Sequence, residues 1–406
     1  MNRQPFQTPP RYWEPRLTPW WVRLCRPLRQ RQVQVRQKIT SITSEGGEAV
    51  RAAFRSGAGL LFTPNHSTHY DSNCLYLTLE TLGFPCHFMT AWQVFGVSSR
   101  WDQWSYQRHG CFSVDRERTD LKAFRQAVDI LETGRWPLVI FPEGDIHHVN
   151  DRVLPFREGA AAIALAAAKK QTREVLCIPT AIKFEYLDDP LPSLQQVVGR
   201  LEDRLLLRRR TDLPLIERVF RVARTVLCIQ EIEEYGQVRP GDLRERLQNL
   251  SRSIVDRIAR AESRPTTTKP IPEEVKDLRR RIIDSLEQST LSTAAREQKE
   301  RELADLFMAI QFYSYPGDYL QEHPSRERLA ETVDKLEEDV LETAYPTVHG
   351  RRRVRILFGE PIPIQHNAGT SGQTAQLTNL LEQEVQQMLN RLSRVNERRG
   401  MPTEQS

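Results

Sequence analysis

Apolar and polar residues follow two different periods along this chain, and the change between them indicates where its regions lie. From Val33 to Tyr186, short apolar runs alternate with stretches of helical spacing, which is the pattern of an α/β layer. The apolar runs predict strands at residues 59–63, 86–89, 138–141 and 175–184. The helical spacing predicts helices at residues 72–82, 120–132 and 158–170. We expect Asp71 or Ser72 to cap the first of these helices.

After Pro192 the pattern changes to apolar residues at i, i+3 and i+4 in a charged background, which is typical of amphipathic helices that pack on one another. Such helices are predicted at residues 197–209, 215–234, 243–261, 273–287, 293–312 and 326–342. A polar, proline-containing linker at 264–272 interrupts them. A strand pattern returns at 353–359, followed by a last helix at 373–394.

The composition narrows the class of protein. The mean hydropathy of −0.55 excludes a protein that is mostly embedded in a membrane, and no run approaches the roughly 20 apolar residues that span a bilayer. No pattern of a secretory signal opens the chain, so we expect a cytoplasmic protein that rests on a membrane surface at most. The six cysteines are scattered without a CxxC pair, and we interpret them as reduced residues of the interior.

The segment from Arg11 to Arg36 interleaves arginines with aromatic residues, among them Trp20 and Trp21. Tryptophan rings favour the headgroup region of a bilayer, and arginine is drawn to anionic lipid. The same composition also fits an arm that packs on the protein's own core, or one that binds RNA. Taken with the motifs described next, we expect a membrane contact and no nucleic acid.

The residues Asn65 to Asp71 stand where a predicted strand ends and a helix begins, a common location for active-site residues in α/β sheets. An aspartate five residues after a histidine can accept one ring N–H of His66. The other ring nitrogen is then free to take a proton from a substrate hydroxyl.

Three further motifs follow this one along the α/β region. A strand-like run from Gly110 ends at Arg116, the sequence Phe141-Pro-Glu143-Gly144 follows another strand, and Leu154 to Gly159, which contains Arg157, leads into an alanine-rich helix. The last motif is the apolar strand that contains Pro179. Arg116, Arg157 and the start of the helix after Gly159 together suit a phosphate group.

In this order the motifs resemble those of the glycerolipid acyltransferase family, which includes lysophosphatidate and glycerol-3-phosphate acyltransferases. The resemblance runs from about residue 33 to 186 and resumes at residues 358–362. It implies an α/β domain with a mixed sheet flanked by helices, in which the helical region is a large insertion. The implied divisions are an arm at 1–37, the α/β domain at 38–194 and 346–396, the helical insertion at 195–345, and a disordered tail at 397–406.

The resemblance also implies roles for single residues. His66 would be the general base and Asp71 would orient it, while Arg116, Glu143, Gly144 and Arg157 would bind the acceptor. The expected reaction moves a fatty acyl group from acyl-CoA or acyl carrier protein to a glycerophospholipid precursor such as 1-acyl-glycerol-3-phosphate, with no metal and no cofactor. One departure concerns the acceptor: family members often continue FPEG with Thr-Arg-Ser, whereas Asp145-Ile146-His147 stands here. This places a carboxylate near the proposed phosphate site.

Three alternatives remain open from the sequence. The first is a non-catalytic lipid-binding or scaffold relative of the family. The second is an acyltransferase whose acceptor is a non-phosphate lipid alcohol. A metallohydrolase site is the competing chemistry, with candidate ligands at His66, His69, Asp71, His147 and His148. Their spacing differs from the helix-borne HExxH arrangement, so we favour acyl transfer.

Overall fold

The computed structural model describes residues 11–116, 120–265, 270–287, 291–315, 320, 325–365 and 372–400. Contacts divide the described residues into two compact units. The sheet unit comprises those between Pro9 and Asp189 and between Gly350 and Ser406, and the helical unit comprises those between Pro190 and His349. The divisions predicted from the sequence, at residues 194/195 and 345/346, stay a prediction.

Helices and strands are numbered here in chain order. The elements before residue 190 are α1 Pro19–Gln37, β1 Ile39–Glu45, α2 Gly47–Arg55, β2 Gly59–Pro64, α3 Asp71–Leu82, β3 His87–Ala91, α4 Trp92–Gly96, α5 Arg100–Arg108, β4 Cys111–Val114, α6 Leu121–Thr133, β5 Leu138–Val139, α7 Gly159–Lys169 and β6 Val175–Tyr186. The later elements are α8 Leu191–Arg204, α9 Leu215–Tyr235, α10 Leu243–Ala261, α11 Ile271–Glu287, α12 Thr293–Ser314, α13 Arg326–Leu341, β7 Arg352–Phe358, β8 Ile362–Pro363 and α14 Gln373–Gly400.

The sheet unit contains one mixed sheet, in the order β1-β7-β6-β2-β5-β3-β4, and β8 also pairs with β6. β6 runs antiparallel to β7 and β8, and the other neighbouring strands are parallel. The predicted α/β class, with a mixed sheet flanked by helices, is confirmed. Because β2, β5 and β4 are parallel, their C-terminal ends meet at one edge of the sheet, where ligands bind in open α/β folds.

Strand β2 is at the centre of the core. All six of its residues are buried, as expected for a strand with helices on both faces. Side chains alternate between the faces: Leu61 packs with residues of α6, α7 and α14, whereas Leu60 and Phe62 pack with residues of α1, α2 and α3. β2 ends at Pro64, immediately before Asn65 and His66.

The helical unit has a core of its own. Apolar residues of α10, α11 and α12 pack together, including Leu250, Ile254, Ile283 and Leu306, none more than 1% exposed. Among the helices that the structure describes in either unit, none is long and apolar enough to cross a membrane.

Three local expectations are corrected. Asp71 does not cap α3, because its carboxylate bonds to the loop before the helix rather than to helical N–H groups. The strand predicted at 138–141 is only two residues long, at Leu138–Val139. Helix α14 continues to Gly400, past the predicted start of the tail at 397, and residues 401–406 lie outside the described part.

Candidate active site

His66 and Asp71 form a hydrogen-bonded pair at the C-terminal end of β2. His66 Nδ1 lies 3.0 Å from Asp71 Oδ2. The same carboxylate accepts the backbone N–H groups of Ser67 at 2.6 Å and Thr68 at 2.9 Å, and the Thr68 hydroxyl donates to Oδ1 at 3.0 Å. Asp71 is fully buried and begins helix α3, so these donors and the positive end of the helix stabilise its charge.

The pairing decides which nitrogen of His66 can react. A carboxylate accepts hydrogen bonds, so the proton of the neutral ring belongs on Nδ1, facing Asp71. This leaves Nε2 as the nitrogen that can accept a proton. The His66 side chain is 18% exposed, and its ring stacks on Phe141 with 4.1 Å between centroids. The ring is therefore held by a hydrogen bond on one edge and by an aromatic face.

Asn65 fixes the backbone immediately before His66. Its side-chain amide accepts the N–H of Ile182 at 2.7 Å and donates to the carbonyl of the same residue at 3.0 Å. Asn150 does the same for Phe184, at 2.9 and 2.7 Å. The pairing of β2 with β6 ends at Pro64 and Thr180, so these two buried amides bond to the β6 backbone beyond the end of β2. Sequence reasoning did not assign a role to either asparagine.

Glu143 connects the loop after β5 to the His66 loop. Its Oε1 accepts the backbone N–H of His66 at 2.8 Å, and its Oε2 accepts that of Leu154 at 3.3 Å. Glu143 is 5% exposed, and burial raises the pKa of its carboxyl well above the ordinary value, while the two N–H donors oppose that shift. Both carboxylate oxygens are thus engaged with backbone.

Arg116 and Arg157 both lie against Gly144. The Arg116 guanidinium donates to the Gly144 carbonyl. Gly144 has φ +76°, and a Cβ built there would lie 2.6 Å from Arg157 Nε. A side chain at this position would therefore strain the backbone and displace the Arg157 guanidinium. The structure brings together the two predicted phosphate-binding arginines, beside the residue that follows Glu143.

Asp145 is the third charged group at this place. Its Oδ1 lies 3.6 Å from Nη1 of Arg116. Burial opposes ionisation of the Asp145 carboxyl, but the positive charges around it, led by Arg116, outweigh burial and lower its pKa to about 2. The carboxylate is therefore charged at neutral pH and partly neutralises Arg116.

The histidines that the sequence offered as metal ligands do not all lie together. His66 is engaged with Asp71, whereas the ring of His69 packs on His148 with 5.8 Å between centroids. Within the described residues, His66, Asp71 and His147 belong to no group of three ligand atoms close enough to hold one ion.

Residues 41–183 match the family model described as Acyltransferase. The matched range contains His66, Asp71, Arg116, Glu143 and Arg157, and it ends within β6. The comparison with curated proteins found no match.

Proposed function

This chain carries a domain of the acyltransferase family at residues 41–183, and from this premise we propose that it moves a fatty acyl group from a thioester to a lipid hydroxyl. The observation that carries the proposal is the His66–Asp71 pair, with Nδ1 engaged and Nε2 available. Acyl-CoA or acyl carrier protein would be the donor. The enzyme would work at a cytoplasmic membrane surface and would need no metal or cofactor, because the thioester is already activated.

In the proposed reaction, Nε2 of His66 takes the proton of the acceptor hydroxyl as its oxygen attacks the thioester carbonyl. Asp71 stabilises the imidazolium that forms. The carbon–sulfur bond then breaks, and the leaving thiolate takes the proton from Nε2, which yields an ester and a free thiol. Asn65 and Glu143 would act as positioning residues, since they hold the backbone that leads into the His66 Cα.

For the acceptor we propose 1-acyl-glycerol-3-phosphate. Two guanidinium groups beside Gly144 support this choice, because arginine binds phosphate through charged hydrogen bonds. The start of α7, two residues after Arg157, adds the positive end of a helix.

A second candidate acceptor is a lipid alcohol without a phosphate monoester. The observation that favours it is the ionised Asp145 carboxylate, 3.6 Å from Arg116, because it would repel a phosphate dianion at this place. A non-catalytic lipid-binding relative is the third possibility, and it predicts no turnover with any acceptor.

The test is an acyl-transfer assay of the full chain with acyl-CoA and with acyl carrier protein as donors. The acceptors are chosen in a matched pair, 1-acyl-glycerol-3-phosphate and the monoacylglycerol that lacks only the phosphate, with glycerol-3-phosphate and a lysophospholipid of larger headgroup alongside. Acylation of the phosphate-bearing member supports the first candidate. Acylation of monoacylglycerol alone supports the second, and free-thiol release without any acylated lipid contradicts both.

A further inference from the structure

The outward face of α1 is apolar. Trp20, Leu24, Leu28 and Val35 are 65%, 65%, 68% and 67% exposed, respectively. At 3.6 residues per turn, their spacing places all four within an arc of roughly 80° around the helix axis. Single exposed apolar side chains are ordinary, but four on one helix face, with Arg31 the exposed cation in the same arc, indicate a contact surface. These four residues are called the α1 stripe below.

The opposite face of α1 is fixed to the sheet unit. Val22 and Val33 are buried there. Arg29 donates to Glu80 Oε2 at 2.6 Å and to the Val22 carbonyl at 2.9 Å. Because α1 is held by this inner face, the stripe cannot turn inward without breaking a buried ion pair.

The charge of α1 is entirely of one sign. The helix contains five arginines and no acidic residue. Arg29 is paired with Glu80, while Arg23, Arg31 and Arg36 are exposed to solvent. Arg31 lies between the stripe residues Leu28 and Val35 along the chain. An apolar stripe with flanking cations is the arrangement of helices that lie in the interface of an anionic bilayer.

The aromatic residues next to the stripe divide into inner and outer groups. Trp21 packs edge-on against Trp101 and Trp104, with centroid distances of 5.9 and 4.9 Å. Trp101 is itself 63% exposed, and Trp20 touches the edge of Trp21 at 5.9 Å. Of the two tryptophans expected to contact a membrane, only Trp20 is on the exposed side, because Trp21 packs against other tryptophans. The exposed ring of Trp101 adds to the apolar surface beside Trp20.

We propose that α1 docks the sheet unit on an anionic lipid bilayer, with the α1 stripe among the headgroups and acyl chains and the exposed arginines on lipid phosphates. The proposal deepens the proposed function, because it names the surface from which a lipid acceptor would be drawn. A second copy of the chain suits this face poorly, since the exposed arginines Arg23, Arg31 and Arg36 of one copy would meet those of the other. RNA would satisfy the arginines but would leave the stripe without an apolar partner.

The first experiment measures binding of the full chain to vesicles by co-sedimentation. We expect binding to phosphatidylcholine vesicles that contain phosphatidylglycerol, and weaker binding to phosphatidylcholine alone or at high salt. The double variant Leu24→Ser/Leu28→Ser should bind at least about tenfold more weakly, since it removes two inserted leucines. The control is Leu206→Ser, at a residue of the helical unit that is 94% exposed, and it should bind as the wild type does. Thermal unfolding by circular dichroism checks that each variant is folded.

A second measurement separates this proposal from the catalytic one. His66→Ala should bind vesicles as the wild type does, and the Leu24→Ser/Leu28→Ser variant should keep its activity on a short-chain acceptor dissolved below its micelle concentration. Vesicle binding without acyl transfer would leave the docking surface standing and remove the proposed function. Unchanged vesicle binding of the double variant, or a dimer in light scattering that this variant dissociates, would overturn the docking proposal. RNA binding that survives loss of the stripe, without vesicle binding, would overturn it as well.

Discussion

The backbone N–H of His66 donates to Oε1 of Glu143 at 2.8 Å, so two motifs that are 77 residues apart in the chain are joined by one hydrogen bond. The other Glu143 oxygen accepts the N–H of Leu154. Sequence reasoning assigned Glu143 to the acceptor site. With both carboxylate oxygens on backbone donors, we expect it to act through the position of His66 instead.

The variant Glu143→Ala tests this positioning role. It leaves the N–H groups of His66 and Leu154 without their acceptor, which should lower the free energy of unfolding by about 1–3 kcal/mol. We expect kcat to fall by about 10- to 100-fold while KM for the acceptor changes little, because the displaced group is the base. Glu174→Ala, at an exposed glutamate outside the site, is the matched control. A rise in KM at constant kcat would show that Glu143 contacts the acceptor.

The variant Asp71→Asn removes the charge from the partner of His66 but keeps its size. The amide cannot stabilise an imidazolium, and its NH2 group favours the wrong tautomer of the ring. We expect kcat to fall by about 10²- to 10⁴-fold, the range of general-base contributions. Asp129→Asn, at an exposed aspartate, controls for the substitution. Activity near the wild-type level would remove Asp71 from the mechanism.

The variant Asp145→Asn tests how the acceptor is chosen. Removing the carboxylate beside Arg116 should lower KM for the phosphate-bearing acceptor several-fold and leave KM for monoacylglycerol unchanged, because only a dianion feels the lost repulsion. Arg116→Gln should shift KM for the phosphate-bearing acceptor in the opposite direction. Equal changes in KM for both acceptors would mean that Arg116 and Asp145 do not face the headgroup of the bound acceptor.

His109 predicts a pH dependence of stability. Burial, with the nearby Arg29 charge, lowers its pKa from 6.5 to about 4. Between pH 6.5 and pH 4 the unfolded chain therefore binds more protons than the folded one, and stability falls as the pH drops through this window. Denaturant unfolding from pH 8 to pH 4 should show a steeper acid loss for the wild type than for His109→Asn. The slopes would differ by up to about 1.4 kcal/mol per pH unit. Parallel curves would contradict the assignment.

Local features of the fold followed from the sequence. The helices at 215–234, 243–261 and 326–342 were predicted to within a residue at each end, because an amphipathic face repeats over several turns. β1 was not predicted. Its sequence, Ile-Thr-Ser-Ile-Thr-Ser-Glu, has mostly exposed positions, and it exists through parallel pairing with β7, more than 300 residues away.

In the candidate site, too, local features were predicted from the sequence and long-range contacts were not. His66 and Asp71 are five residues apart, so one loop brings them together, and a short motif was enough to indicate the pair. Asn65 pairs with Ile182, which is 117 residues away, and a local sequence pattern does not predict such a contact. The prediction that Asp71 caps α3 was wrong because the sequence does not show which donors its carboxylate contacts. The carboxylate bonds to His66 and to the backbone N–H of Ser67, which precede the helix.

The measurement that bears most directly on the proposed function compares the wild type with His66→Ala. Both proteins are incubated with radiolabelled acyl-CoA, and then with labelled acyl carrier protein, in the presence of the acceptor panel. We expect the wild type to form labelled ester and His66→Ala to form at least about 10²-fold less, with the same thermal unfolding and the same vesicle binding. Equal ester formation by the two folded proteins would contradict His66 as the base, and no ester from the wild type with either donor would contradict acyl transfer itself.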